Sequence, residues 1–476
     1  MNLPASIVSL REGHSWMTNA TLCIFGVGLV LFSRQFVLES HRFTIGFSGC
    51  SGWSAILYLA SIIVIVTQPT DRASFWIVIG FAIAFRAMTI FADPFSSSDI
   101  YRYVWDGIVQ HAHISPYRYV PGDLALSFLR APHQHIFDNI NRRDYAHTIY
   151  PPVAQMIYWL VTLFSPTVFA MKVAMFGFEC VTTVGLLALL RNLGRSRVQI
   201  LLYAWCPLLV WEIGGAGHID AAVFAFVTLA LLFRYRNQPI LTGLFLGLAV
   251  MTKFYPIVLL PALYKRGDWK MPATLVAVCG LAYVPYLSVG RLVFGFLFAY
   301  THEEGIDSGA RFFLLELTQK LRGLENLPVS AYLVFCATIL GSISYWAWRK
   351  ASEDSNEAQA ANVRPAFIRA AMFLAFAMML LFSPHYPWYV VWLIPLFTLA
   401  PNLPLLTYLM AFFYLFTTAL ADPGPKMFLL NKILYGTVAL AFLLHAALRQ
   451  FPRLRSTFPK LGGTRSPRAA FVERLD

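Results

Sequence analysis

Charge is what this sequence has least of. Asp, Glu, Lys and Arg make up 13% of 476 residues, about half the share of an ordinary soluble domain. That shortage excludes a water-soluble enzyme or a free nucleic-acid module. Also missing are short segments of alternating polarity, which excludes a transmembrane β-barrel. Cysteine is scarce. Its six copies, Cys23, Cys50, Cys180, Cys206, Cys279 and Cys336, sit mostly in apolar segments without metal-type pairing, so they read as small hydrophobes and not as a disulfide framework. No Gly-rich phosphate fingerprint occurs, and no soluble strand–turn–helix context exists to hold one. Nucleotide chemistry in a soluble domain is therefore not expected, and the driving energy falls to an activated lipid or a gradient. No convincing internal repeat marks a transporter.

What is there is apolar. Hydrophobic residues make up 58% and mean hydropathy is +0.60. Runs of about 20 residues, enough to cross a bilayer, recur throughout. The expected fold is all-α and polytopic, a single transmembrane helical domain over 1–448 with 11 to 14 spans. Among the candidate spans are 153–165, 167–190, 198–213, 240–263 and 388–400. The start, MNLPASIVSLREGHSW, lacks the pattern of a removed signal peptide. Residues 349–364 read as a solvated cytoplasmic linker, and the basic tail 449–476 as a disordered cytoplasmic extension.

The net charge of +13 gathers in short junctions and in that tail, the pattern of membrane orientation and anionic-lipid contact; no nucleic-acid partner is expected. Lys265, Arg266 and Lys270, Arg349 and Lys350, and the tail place these junctions inside, which puts loop 92–152 and segment 290–328 outside. The middle of the chain resists this scheme. Counting every span places Arg191, Arg195 and Arg197 outside with Arg234 and Arg236, whereas placing them inside requires 153–190 and 240–263 to be broken or re-entrant.

The polar exception is Phe91–Pro152, with six Asp, five Arg and five His among Tyr and Trp side chains. Such aromatic content favours a folded surface element over a tether. In DIYRYVWDG a helix puts Asp99, Tyr103 and Asp106 on one face. Two carboxylates at a membrane edge suit a polar reaction on a lipid-borne substrate, one of them taking a proton from an attacking hydroxyl. A helix start with a salt bridge to Arg102 explains the same residues blandly. The five histidines show no ligand spacing that points to zinc. Tyr150, in YAHTIYPP, lines a sugar or belongs to the interfacial aromatic belt.

Elsewhere, GGAGHID places His218 and Asp220 near or within the membrane, where ionisable groups are functional candidates by default or else a buried network with Glu212. Lys253 in MTKFYP is a lone cation suited to a lipid phosphate, or one that snorkels. In FSPHYPWY, His385 stands between prolines with Tyr386 beside it, at the face expected for Asp99. His302, Glu303, Glu304, Asp307 and Arg311 form a second outer polar cluster.

In order and spacing, the outer Asp99, then DG…SPY…YPP, GHID, KFYP and SPHYPWY resemble the multispanning GT-C glycosyltransferases, and within them the bacterial mannosyltransferase-like members of the GT87 type, over roughly residues 75–420. The resemblance implies transfer of a sugar, with mannose the expected one, from a polyprenyl-phosphate donor to a lipid or glycan acceptor, with inversion, on the extracytoplasmic face of the inner membrane. Related enzymes carry an Asp-X-Asp pair in the first outer loop. Here the matching place is Ser97-Ser98-Asp99, so only the second Asp carries over, as the expected base. The missing Asp weakens the case for an obligatory metal, and none is expected, although a divalent cation remains compatible. Asp106 is the candidate for part of that lost role. Arg102, Tyr103, Tyr150, His218, Asp220, Lys253, His385 and Tyr386 are the candidate contacts to donor phosphate or sugar. The competing class is a transporter or flippase of lipid-linked sugars, followed by a structural assembly subunit.

Overall fold

The computed structural model describes residues 5–39, 45–94, 96–357, 365–419 and 426–450, and it is all-helical over them. Seven helices are long and apolar enough to cross a membrane, or eight if the pair Arg197–Ala204 and Pro207–Gly215, bent by 54°, counts as one span. The chain is thus a multi-pass membrane protein, consistent with the GT-C type of bundle. Helices α1 (Ala5–Glu39), α2 (Ile45–Thr67) and α3 (Arg72–Ile90) come first. Asp71 caps α3, accepting from the Ser74 amide at 2.8 Å, and also accepts from Asn19 of α1 at 3.2 Å. That cap fixes which end of α1 meets the start of α3.

The first polar loop is folded, and its helices do not cross the bundle. In α4 (Asp99–His111) and α5 (Pro152–Phe164) the starts meet through Asp99 and Tyr150, and the far ends through His111 and Thr162 at 3.0 Å. The two helices therefore run side by side in one direction. α6 (Val168–Asn192) then starts where α3 ended, because Lys172 donates to the carbonyls of Thr89 (3.4 Å) and Ala92. Both ends of 92–167 lie at one end of the bundle, so the expected span 153–165 is not a crossing. Its thirteen residues reach about 20 Å at 1.5 Å each, short of a hydrocarbon core.

The expected span 240–263 is corrected in a second way. α7 (Asp220–Tyr235) runs away from the α4 end, and α8 (Pro239–Val250) returns toward it. The chain then turns at Lys253 and goes back through the 3-10 turn Tyr255–Leu259 and the short helix Leu260–Leu263. One apolar run is therefore a hairpin. The segment 197–215 is the third irregularity: Pro207 interrupts it and the π-turn Val210–Gly215 ends it. Gly217 follows at φ +74°, with Ile100 of α4 only 2.3 Å from where a Cβ would sit. Gly214 and Gly217 of GGAGHID leave room for close neighbours, Thr89 at the first and Ile100 at the second.

With these corrections Arg191, Arg197, Arg234, Arg236, Lys265 and Arg266 share one end of the molecule, opposite the polar loop. Tyr235 donates to the Asn192 carbonyl at 3.0 Å, and Arg72 and Arg197 line one small cleft. α9 (Lys270–Tyr283) ascends from that end. α10 (Val329–Glu357) descends to it, bringing Trp348 under Arg266. Helix α10 continues to Glu357, so the first half of the expected 349–364 linker is helical, while 358–364 lie outside the described residues. α11 (Ala366–Phe382), α12 (Leu403–Ala419) and α13 (Met427–Gln450) complete the bundle. Most of the tail, 451–476, also lies outside the described residues.

Within the bundle, Arg86 of α3 meets Glu179 of α6 at 2.7 and 3.2 Å, with both side chains buried. A two-pronged pair of this kind holds α3 in register against α6 where neither charge can find water.

Candidate active site

Several of the candidate residues gather at the polar-loop end around a cavity of about 520 Å³, lined by residues from the first loop, the α8 hairpin, the second outer segment and the turn after α11. Its floor is the start of α4. The Asp99 amide donates to Ser97 Oγ at 3.1 Å, which turns the chain into the helix. The carboxylate of Asp99 is half-buried and lines the cavity. Its Oδ1 accepts from Asn141 Nδ2 at 3.2 Å and its Oδ2 from the Tyr150 hydroxyl at 3.1 Å. No ion pair to Asp99 occurs among the described residues, so the carboxylate is oriented without being neutralised. Tyr150 is itself wedged between Tyr103 and Tyr158, and burial, then the charge of Asp99, holds its hydroxyl protonated well above the usual range.

Lys253 faces the same cavity from the tip of the α8 hairpin. The tip is held because the Val153 amide of α5 donates to the Met251 carbonyl at 2.9 Å. Lys253 Nζ donates to Asp220 Oδ2 at 2.6 Å and lies 5.7 Å from the ring centre of Tyr389. Asp220 is fully buried at the start of α7 and also accepts from Tyr255 at 2.9 Å. It does not reach the cavity. Its position is behind Lys253, aiming the ammonium.

Asp106 is also off the cavity. Its Oδ1 pairs with Arg102 Nε at 2.7 Å and its Oδ2 accepts from Gln155 at 2.8 Å, with 1% of the residue exposed. Both oxygens are occupied where an acceptor hydroxyl cannot arrive. Two turns of helix separate it from Asp99, and the position between them is filled by Tyr103, which packs flat on Tyr158 at 4.6 Å instead of lining the site. Arg102 does line the cavity. It donates through Nη1 to the Ala146 carbonyl at 3.0 Å, and its buried Nη2 has no hydrogen-bond partner among the described residues.

Tyr386 lines the wall and stacks on Trp388 at 4.7 Å, which in turn stacks on His218 at 4.5 Å. His218 is thus the third ring of a stack and not a surface of the cavity. Its Nε2 lies 3.4 Å from Glu212, which accepts from Ser96 at 3.1 Å, the network that GGAGHID allowed as its bland explanation. His385 sits beside the wall without lining it. Burial and then the neighbouring Arg311 push it down to about 4, so it is neutral at physiological pH and no cation for a phosphate. Among the described residues no three His, Cys, Asp or Glu side chains converge where they could hold a metal ion. Two carboxylates line the cavity, and of these Glu304 is paired with Arg311 while Asp99 is not ion-paired among the described residues.

Two lining groups, Asn141 and Arg142, gave no signal in sequence, whereas Glu303, Glu304 and Arg311 belong to the outer polar cluster named there. Asn141 orients Asp99 across 42 residues. Arg142 bridges to Glu303 of the second outer segment at 2.6 Å, and Glu304 pairs with Arg311 beside it. Gly295, at φ +52°, lies so close to the Thr148 carbonyl that no side chain fits between. These contacts bind the two outer segments into one wall. Only folding brings them together.

No curated protein matches the chain, and no solved structure does. A model of glycosyltransferase family 87 matches residues 148–384, which takes in α5 to α11 and the Lys253 hairpin. A second model, described as alpha-(1->6)-mannopyranosyltransferase, N-terminal domain, matches residues 8–265, more than half of the sequence, and the chain therefore belongs to that glycosyltransferase family.

Proposed function

We propose that this membrane glycosyltransferase moves a sugar, mannose by its family, from a polyprenyl-phosphate donor to a hydroxyl of a lipid or glycan acceptor, with inversion at the anomeric carbon. One observation carries the reading: an unneutralised carboxylate, Asp99, and an ammonium, Lys253, line a single cavity of about 520 Å³, large enough for a sugar phosphate. In the reaction the bond from the anomeric carbon to the phosphate oxygen breaks, and a bond from the acceptor oxygen to that carbon forms. The acceptor proton goes to Asp99, and the electron pair leaves with the polyprenyl phosphate. Phosphate is a stabilised leaving group, so a base and a positive counter-charge suffice. Lys253 supplies that charge; Arg102 Nη2, buried without a partner among the described residues, is the second group to supply it. Asp106 and Asp220 act by positioning Arg102 and Lys253, and Tyr150 by orienting Asp99.

The basic residues at the opposite end support a cytoplasmic position for that end, and with it an extracytoplasmic one for the cavity. The test is Asp99→Asn in purified, reconstituted protein supplied with polyprenyl-phosphate mannose and lipid acceptors. Loss of a general base lowers kcat by about 10²–10⁴ with donor affinity nearly unchanged. Turnover at the wild-type rate would remove Asp99 from the chemistry.

A further inference from the structure

At the end of the bundle away from the candidate active site, a second cavity of about 310 Å³ is lined by Arg234, Lys265, Arg266 and Asp268, together with Asn237, Gln238 and Pro239. Three cations face one carboxylate, and that carboxylate is partly engaged, since Asp268 Oδ1 accepts from the Lys270 amide at 3.1 Å. The twelve-residue helix α8 starts here with Pro239, and Gln238 provides no side-chain cap, so the positive end of its dipole adds to the field. Arg234 is 9% exposed and lies 5.2 Å from the ring centre of Phe367. It is built into the wall and is not a mobile surface charge.

Depth decides what fits. Trp269, next to Asp268, is 70% exposed, and exposed tryptophan at a span terminus marks the headgroup level of a bilayer. Ile240 and Val276, 55% and 66% exposed, continue apolar surface along α8 and α9 toward the membrane interior. A cationic recess opening at headgroup depth above a greasy helix surface matches an anion joined to acyl chains. We infer that this recess is a binding site for the phosphate headgroup of an anionic glycerophospholipid. The site also sits at the root of the hairpin whose tip carries Lys253, so an occupied headgroup holds both strands of that hairpin, through Pro239 and Thr242 on one and Leu263 and Lys265 on the other.

The experiment titrates the full-length purified protein with phosphatidylglycerol and with phosphatidylcholine, counting bound lipid by native mass spectrometry, a readout that needs no turnover. The pocket variant is Lys265→Glu with Arg266→Glu. Its charge-matched control is Arg191→Glu with Arg197→Glu, at the same end of the bundle but outside the recess. Each basic residue near an anionic lipid surface is worth about fivefold in affinity. The expected result is one phosphatidylglycerol bound at least tenfold more tightly than phosphatidylcholine, its apparent Kd raised at least twentyfold in the pocket variant and less than twofold in the control. Equal losses in the two variants would show a diffuse basic face and overturn the site. So would equal binding of the two lipids. Full competition by millimolar inorganic phosphate would overturn the lipid assignment in favour of a free anion.

Discussion

Removing the ammonium of Lys253 tests the site and its support together. Lys253 Nζ lies 2.6 Å from Asp220 Oδ2, and the Asp220 side chain has no exposure to solvent. In Lys253→Met the volume is nearly kept, but Asp220 is left with Tyr255 as its remaining partner at 2.9 Å. Breaking one side of a buried ion pair costs about 3–5 kcal/mol, because the other charge stays behind without compensation. Replacing both sides by apolar groups is often close to neutral. Lys253→Met should therefore unfold at clearly lower temperature in detergent, and adding Asp220→Leu should return most of the loss, with a coupling of about 3 kcal/mol or more from the double-mutant cycle. Activity should not follow stability. If Lys253 contacts the departing phosphate, the refolded double variant remains about 10²-fold or more below wild type, the scale for one lost charge-stabilising group. Thermal unfolding by intrinsic fluorescence and single-turnover transfer from a labelled lipid donor measure the two quantities separately. A double variant that regains wild-type turnover would make Lys253 a purely structural cation. A single variant as stable as wild type would refute the buried-pair reasoning itself.

Three other outcomes follow from the same geometry. Tyr150→Phe deletes the hydroxyl that donates to Asp99 at 3.1 Å and should lower kcat about tenfold, the low end for a hydrogen bond to a charged group, with little change in KM; unchanged kcat would separate Tyr150 from Asp99. His385 falls from its ordinary 6.5 to about 4 because it is buried near Arg311. Between those values the unfolded chain binds a proton that the folded chain does not, so stability is complete above about 6.5 and declines as pH falls toward 4. His385→Gln should flatten that acid slope in thermal scans from pH 4.5 to 7.5, and a slope identical to wild type would count against it. Gly217→Ala forces a Cβ into φ +74° and to 2.3 Å from Ile100. It should destabilise by more than about 1 kcal/mol, partly relieved by Ile100→Ala; a variant as stable as wild type would show that the α4 approach is looser than drawn.

Composition alone determined the class of this protein. A chain with 13% charge and recurrent apolar runs has no stable option in water, and backbone hydrogen bonding in lipid leaves it only helices. Local chemistry also made Asp99 and Lys253 legible, because a carboxylate just after a span and a cation alone in an apolar run each stand out against their neighbours. Tertiary structure decided the rest. Asp99 and Asp106 share a helix face, yet one meets a cavity and the other meets Arg102 and Gln155. His218 and His385 both stand out in sequence, and neither lines the cavity. Whether 240–263 crosses once or folds back on itself depends on the Val153 amide reaching the Met251 carbonyl across about a hundred residues, which hydropathy cannot register. A side chain's identity fixes what it can exchange with a neighbour; which neighbour it receives is set by long-range packing.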